Sequence, residues 1–248
     1  MKKAINNFGF AAYNTIVEKI TITQSGFNEG YVDYLQNKVQ ERFSFLPSTC
    51  DMRSDGEGCL LEFQTETAYC PYVRKFAEDN IADVIAIGYK YAFFEKKLFL
   101  PLLSKEQKRL LFTALVAADY REDKSYALKR LKGFSSYSLD GVFHFRLQEL
   151  SRRWQSVADY VSPDLGEREL EGFLGFLTED GIGKLYLKDG KVYDEDYRVL
   201  SRSKLTGEES TVGEILLGNA ERVYCFGKTS EKTAAFLKKY YDGKAVFC

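Results

Sequence analysis

An α+β fold, with a largely helical central region packed around one long helix and small β-α-β elements at both ends, is what the sequence predicts. Three observations carry that expectation. Apolar residues recur at three- and four-residue steps through most of residues 71–178, β-branched stretches lie on either side of that region, and a helical pattern separates the last two strand-like runs. With 248 residues and 45% hydrophobic content, the chain can bury a core without disulfide staples.

Residues 16–23, IVEKITIT, are rich in β-branched types and read as a half-buried strand ending at Ser25-Gly26. Tyr31, Leu35, Val39 and Phe43 then fall on one helical face, with Asn28 as an N-cap and Pro47 as a stop, so residues 28–45 form a helix. The polar stretch 47–58 reads as a loop, and CLLEFQTE after it as a second strand. From Pro71, tolerated in a first turn, Val73, Phe76, Ala77, Ile81, Val84, Ile85, Gly88 and Tyr91 line a helix that runs to about Leu98.

Ser104 opens a further helix to Tyr120 with Glu106 and Gln107 in its first turn, close to a capping box. A shorter helix spans Lys124 to Lys132 and stops at Gly133. The stretch Ser136 to Val161 holds the only histidine and the only tryptophan. Its Leu139, Phe143, Leu147, Leu150, Trp154, Val157 and Val161 form one seam, which predicts a single long amphipathic helix that organises the fold. Glu167–Thr178 gives another short helix.

After Gly183 the pattern changes to KLYL, Asp189-Gly190 and KVY, a hairpin signal. Thr211–Leu217 is a helical turn, ERVYCF a strand, Ser230–Tyr241 a helix and KAVFC a closing strand, so the last two strands are parallel in a right-handed β-α-β unit. The expected organisation is a small α/β lobe over 1–66, a helical region over 67–180, and a hairpin plus β-α-β unit over 181–248, or all three as one compact domain.

Composition excludes several classes. A net charge of −1 gives no global field for nucleic acid or anionic lipid. No apolar run reaches the length of a membrane span and no leader is evident, so the expected location is cytoplasmic, with the five cysteines reduced. No cysteine pair has zinc or redox spacing, and no catalytic, metal or cofactor set emerges. His144 lies off the apolar seam without a nucleophile to serve, and reads as a bystander. Gly227-Lys228-Thr229 sits between a strand and a helix, but Arg222 occupies the position where a phosphate loop needs its first glycine, so an ordinary capped turn is the better reading. Asp194, Glu195 and Asp196 read as a solvated turn rather than a cation site.

Charge distribution says more. Residues 124–153 carry seven basic side chains against two acidic ones, and residues 162–214 carry thirteen acidic against seven basic. Either Lys129, Arg130, Lys132, Arg146, Arg152 and Arg153 form a partner-binding surface for nucleic acid or an acidic partner, with Tyr126, Phe134, Tyr137 and Phe145 as stacking groups, or the two segments face each other inside the fold. Arg146 sits on the edge of the apolar seam, where a guanidinium is either paired or presented to a partner.

GVFHFRLQEL resembles the Phe-Arg-Leu helix of the YtxC-like family of sporulation-associated proteins, and ELEGFLGFL, LLGNAERVYCFG and EKTAAFLKKYYDGKAVFC are similar to that family's later segments. The resemblance spans roughly residues 70–248, with Phe145, Arg146 and Leu147 on the Phe-Arg-Leu element. It implies a cytosolic sporulation-associated protein without an established biochemical activity and without catalytic residues to carry over, and it leaves any role of Cys225 and Cys248 open. With no catalytic constellation in the chain, the leading expectation is a non-enzymatic factor acting through an unidentified protein partner. A nucleotide-binding protein or enzyme built on the closing β-α-β unit ranks last.

Overall fold

The computed structural model describes residues 17–25, 30–55 and 57–248, so the Asn28 cap and the residues before Val17 lie outside the described chain. Strand β1 (Val17–Ser25) is followed by helix α1 (Gly30–Phe43) and by two strands, β2 (Ser48–Ser54) and β3 (Gly58–Glu66). The stretch expected as a loop is therefore largely a strand. It lacks hydrophobic alternation, and its extended form comes from pairing antiparallel with β3, Cys50 opposite Phe63 and Met52 opposite Leu61. Asp55 Oδ1 accepts the N–H groups of Glu57 and Gly58 and turns the chain between them.

β1 lies antiparallel to β3, and the short strand β4 (Ser136–Ser138) adds parallel to its other edge, giving the order β2-β3-β1-β4. Residues far beyond position 66 thus complete the N-terminal sheet. Ile20, Ile22, Leu61 and Phe63 point inward onto α1 and the helices that follow.

Helix α2 (Cys70–Asp83), with proline in its first turn, passes through a π-helical turn (Val84–Tyr89) into α3 (Lys90–Lys97) without a break. The wider turn re-phases the rod between its two α segments. Gly88 is required there: a Cβ would lie 2.6 Å from the Tyr31 ring, which stacks on Tyr89 at 5.4 Å. Helix α4 (Lys105–Leu131) starts at the expected capping box, Ser104 Oγ accepting from Gln107 N and Gln107 Oε1 from Ser104 N. It does not stop at Tyr120. No Gly or Pro interrupts residues 105–131, and the two helices expected there are one of 27 residues, about 40 Å long.

α4 is the long helix around which the centre packs, in contact with α2, the π turn and α3. Residues 136–161, expected as one helix, are instead β4, α5 (Leu139–Arg146) and α6 (Gln148–Tyr160), bent at Leu147. Two anchors on different elements account for the bend. Asp140 accepts from Ser25 N of β1 and from Tyr89 OH, fixing α5 at the sheet, while Trp154 fixes α6 to α4. The apolar seam survives the bend, with Leu139, Leu147, Leu150 and Trp154 fully buried.

The anchor on α4 is Asp123, almost fully buried. Its Oδ2 accepts from Trp154 Nε1 at 2.7 Å and lies 2.9 Å from Lys90 Nζ, and its Oδ1 lies 3.0 Å from Arg153 Nη2. Lys90 has 0% of its side chain exposed, and its second partner is Asp119 at 3.3 Å.

Helix α7 (Glu167–Glu179) leads into β5 (Lys184–Lys188) and β6 (Lys191–Tyr193), the expected hairpin, with Asp189 and Gly190 both at positive φ. A 3-10 turn (Arg202–Thr206), α8 (Thr211–Gly218), β7 (Arg222–Phe226), α9 (Glu231–Tyr240) and β8 (Ala245–Phe247) complete the chain. β5, β7 and β8 pair parallel in the order β6-β5-β7-β8. The Gly227-Lys228-Thr229 stretch is a turn into α9, which Ser230 caps by accepting from Thr233 N. Among the described residues no helix is long and apolar enough to cross a membrane.

Removing Asp123 strands a buried ammonium, so Asp123→Ala should cost about 3 kcal/mol or more in urea unfolding. Asp119→Ala, whose carboxylate is half exposed, should cost roughly 1 kcal/mol or less. Equal costs would mean that Asp123 does not anchor the helices.

Candidate functional site

Tyr72, Lys75, Phe76 and Asp79 occupy one face of α2 at the spacing i, i+3, i+4, i+7, and Ser125, Leu128, Lys129 and Lys132 repeat that spacing at the end of α4. The two faces flank a cleft of about 920 Å³. Arg42, Phe43, Phe45 and Leu46 close one end from the end of α1, Tyr69 lies at the start of α2, and Arg198 reaches in from the turn after β6.

The floor is apolar. Phe43 is buried and meets Phe76 edge-on at 5.2 Å. The rim is aromatic and unusually open: Phe45 is 76% exposed and Tyr72 71%. Scattered exposed apolar residues need no explanation, but several around one concavity mark a binding surface.

Five cations, Arg42, Lys75, Lys129, Lys132 and Arg198, line the cleft against two carboxylates. Both carboxylates are engaged elsewhere. Glu78 Oε1 accepts from Tyr137 OH at 2.8 Å and from Gly133 N at 3.1 Å, and Asp79 pairs with Lys124 at 2.9 Å. Arg198 pairs with Asp196, while Arg42, Lys75, Lys129 and Lys132 make no ion pair among the described residues.

A second, polar recess of about 480 Å³ shares Arg42, Phe76, Asp79 and Arg198 with the cleft. Here Lys124 Nζ bridges Asp79 and Asp83, each at 2.9 Å, and Tyr120 OH donates to Asp83 at 2.5 Å. Burial, followed by the Asp83 carboxylate, pushes the Tyr120 phenol well above its ordinary range, and burial pulls the Lys38 ammonium down. Lys124 thereby ties α4 to α2 across the recess and braces the cleft wall. The Tyr120 hydroxyl beside the Asp83 carboxylate is buried, which holds its proton in place.

The six residues expected to bind a partner separate into two groups. Lys129 and Lys132 face the cleft. The arginines are largely committed within the fold: Arg130 lies 3.4 Å and Arg153 5.2 Å from the Tyr126 ring centre, Arg146 lies 4.1 Å above Phe134, and Arg152 pairs with Glu149 at 3.2 Å. Arg146 and His144 are exposed, Trp154 is a core residue, and Tyr137 is buried rather than available for stacking. The alternative in which the basic segment faces the acidic one is not what pairs its charges: among the described residues its ion pairs go to α2, to Asp123 of α4 and to Glu149 within the segment.

Arg42, Phe45, Tyr69, Tyr72 and Lys75 are cleft residues that sequence reasoning missed. The available signal was Tyr72-Lys75 on the polar side of an amphipathic helix, a place where solvated charge is the usual reading. The acidic run proves to be a locked turn, Asp194 Oδ1 accepting from the N–H groups of Asp196 and Arg198 and Glu195 Oε1 from Lys184 N. No group of three or more His, Cys, Asp or Glu among the described residues is placed to hold a metal ion, and the cysteines are free thiols.

If the open aromatics serve binding rather than packing, Phe45→Ser and Tyr72→Ser should each change unfolding free energy by less than about 0.5 kcal/mol. Phe43→Ala, on the floor, should cost about 3 kcal/mol or more by the same denaturation measurement. No family model matches the chain, and no curated protein or solved structure matches it.

Proposed function

We propose that this protein is a non-enzymatic interaction factor that captures an acidic segment of a partner protein in the cleft between α2 and the end of α4, and that it does so in sporulation, as the resemblance to the YtxC-like family implies. The observation that carries the binding role is the pairing of an open aromatic rim with four cations that have no ionic partner in the described chain.

Aromatic side chains supply large contact area at low entropic cost, and basic residues that are unpaired before binding lose little by pairing with a partner's carboxylates. An acidic peptide with an aromatic or aliphatic anchor satisfies both parts, the anchor on Phe43, Phe76 and Leu128 and the carboxylates on Arg42, Lys75, Lys129 and Lys132. The polar recess supports this reading over catalysis, because Lys124 occupies the Asp79 and Asp83 carboxylates and the Tyr120 hydroxyl there is buried.

Co-purification from sporulating cells tests the proposal. Lys129→Glu combined with Lys132→Glu should abolish recovery of a partner that the unaltered protein retains, and Arg146→Ala, stacked on Phe134 outside the cleft, should leave recovery intact. Recovery unaffected by the paired substitution overturns the cleft. Normal spore yield and resistance in cells lacking the gene overturns the role in sporulation.

A further inference from the structure

The two sheets of this molecule present very different outward faces. On the N-terminal sheet the outward positions include Lys19, Thr21, Thr23, Asp51, Arg53, Glu62 and Gln64, with a Lys19–Glu62 ion pair across β1 and β3 and no aromatic residue. That is an ordinary solvated face. On the C-terminal sheet, alternation puts Leu185, Leu187, Val192, Val223 and Cys225 inward, where they are buried. The same alternation puts Tyr186, Tyr193, Tyr224 and Phe226 outward, with Lys184, Lys188, Lys191 and Arg222.

The aromatic groups form a connected row. Tyr186 stacks on Tyr224 at 5.7 Å and on Tyr197 at 4.7 Å, with Phe226 at 6.3 Å, all with rings within 27° of parallel. Tyr197 reaches the row from the turn after β6. Its φ of 58° is unfavourable for a bulky side chain and is held by Asp194, whose carbonyl accepts from Tyr197 N. The row ends in rings open to solvent, Tyr197 being 69% and Phe226 40% exposed.

Strands paired in parallel are normally covered on both faces. Here β5, β7 and β8 are parallel, helices cover the inner face, and the outer one carries stacked rings among cations. The outward strand positions hold four cations and no acid. Of the acids at the margin, Asp194 and Glu195 accept backbone N–H groups, Asp196 pairs with Arg198, and Glu221 lies 3.9 Å from Arg222, while Asp189 stands exposed at the hairpin tip. Lys184, Lys188 and Lys191 make no ion pair among the described residues.

We propose that the outward face of the C-terminal sheet binds single-stranded nucleic acid, bases stacking on Tyr197 and Phe226 at the ends of the aromatic row and phosphates running past Lys184, Lys188, Lys191 and Arg222. Flat aromatic faces accept any base, and cations spaced along a strand follow a flexible phosphate backbone. A rigid duplex hides its bases and offers these rings nothing to stack on. Tyr197 also borders the polar recess beside the α2–α4 cleft, but Phe226 and the four strand cations line neither, and neither assignment depends on the other.

The test is fluorescence anisotropy of the full chain with labelled oligothymidylate and oligouridylate of about twelve nucleotides, beside a duplex of equal length and an oligoglutamate competitor. Single strands should bind better than the duplex, and oligoglutamate should not displace them. Tyr197→Ala combined with Phe226→Ala should weaken binding about tenfold or more. Lys188→Glu combined with Lys191→Glu should weaken it while lowering the salt slope by about 0.7 for each phosphate that is no longer neutralised. Lys129→Glu combined with Lys132→Glu, in the cleft, should leave single-strand binding unchanged. Circular dichroism of each variant checks that the fold is kept. No binding by the folded protein at low salt, duplex binding as tight as single-strand binding, displacement by oligoglutamate, or loss of binding only in the cleft variant would each overturn the proposal.

Discussion

Asp123 is the constraint on which the central architecture depends. Its carboxylate, buried in the middle of α4, is neutralised by Lys90 from α3 and Arg153 from α6 and accepts the indole N–H of Trp154. A well-packed apolar cluster of the same volume could join three helices at comparable free energy. Charge adds register, because a buried ammonium such as Lys90 is tolerated only where a carboxylate meets it. The π turn before Lys90 and the bend at Leu147 between α5 and α6 are departures from regular α geometry in the central helices. Each lies next to an element carrying one of those partners.

The same constraint positions the cleft. Ser125 follows Asp123 by two residues, about 200° around the helix, and Leu128, Lys129 and Lys132 continue along Ser125's face. Fixing Asp123 against α3 and α6 therefore turns the basic face of α4 toward α2. There it meets Tyr72, Lys75 and Phe76, and Lys124, at the angle between the two faces, ties α4 to Asp79 and Asp83 of α2. The cleft thus has a rigid wall on each side, with its open aromatics standing on helices and on the short connection after α1.

What the sequence made legible was local. Capping at Ser104, the Asp189-Gly190 hairpin and the parallel closing strands depend on neighbours in the chain, and each is as expected. Three features depended on distant partners and were not legible. β2 is a strand because β3 offers a ladder, Ser136–Ser138 is a strand because β1 has a free edge, and residues 136–161 bend because Asp140 and Trp154 are held by different elements. The basic segment was visible as a charge excess, yet its arginines are committed to Tyr126, Phe134, Glu149 and Asp123. Only Lys129 and Lys132 of that set reach the cleft, since helical phase and the ring positions together decide which cations remain open.

Both surfaces follow one physical rule: aromatic residues placed where folding does not need them, beside cations that folding leaves unpaired. The C-terminal sheet makes the argument sharper than the cleft does, because the molecule contains its own comparison. The N-terminal sheet shows an outward face built without aromatic residues, with threonines and a cross-strand ion pair. On the outward face of β5 and β7 stand Tyr186, Tyr224 and Phe226 instead, and Tyr197 is held at positive φ to extend their row. Backbone strain that lengthens an exposed aromatic row does nothing for the buried side of the sheet. On the proposed role it sets a stacking ring where a base would meet the outer face.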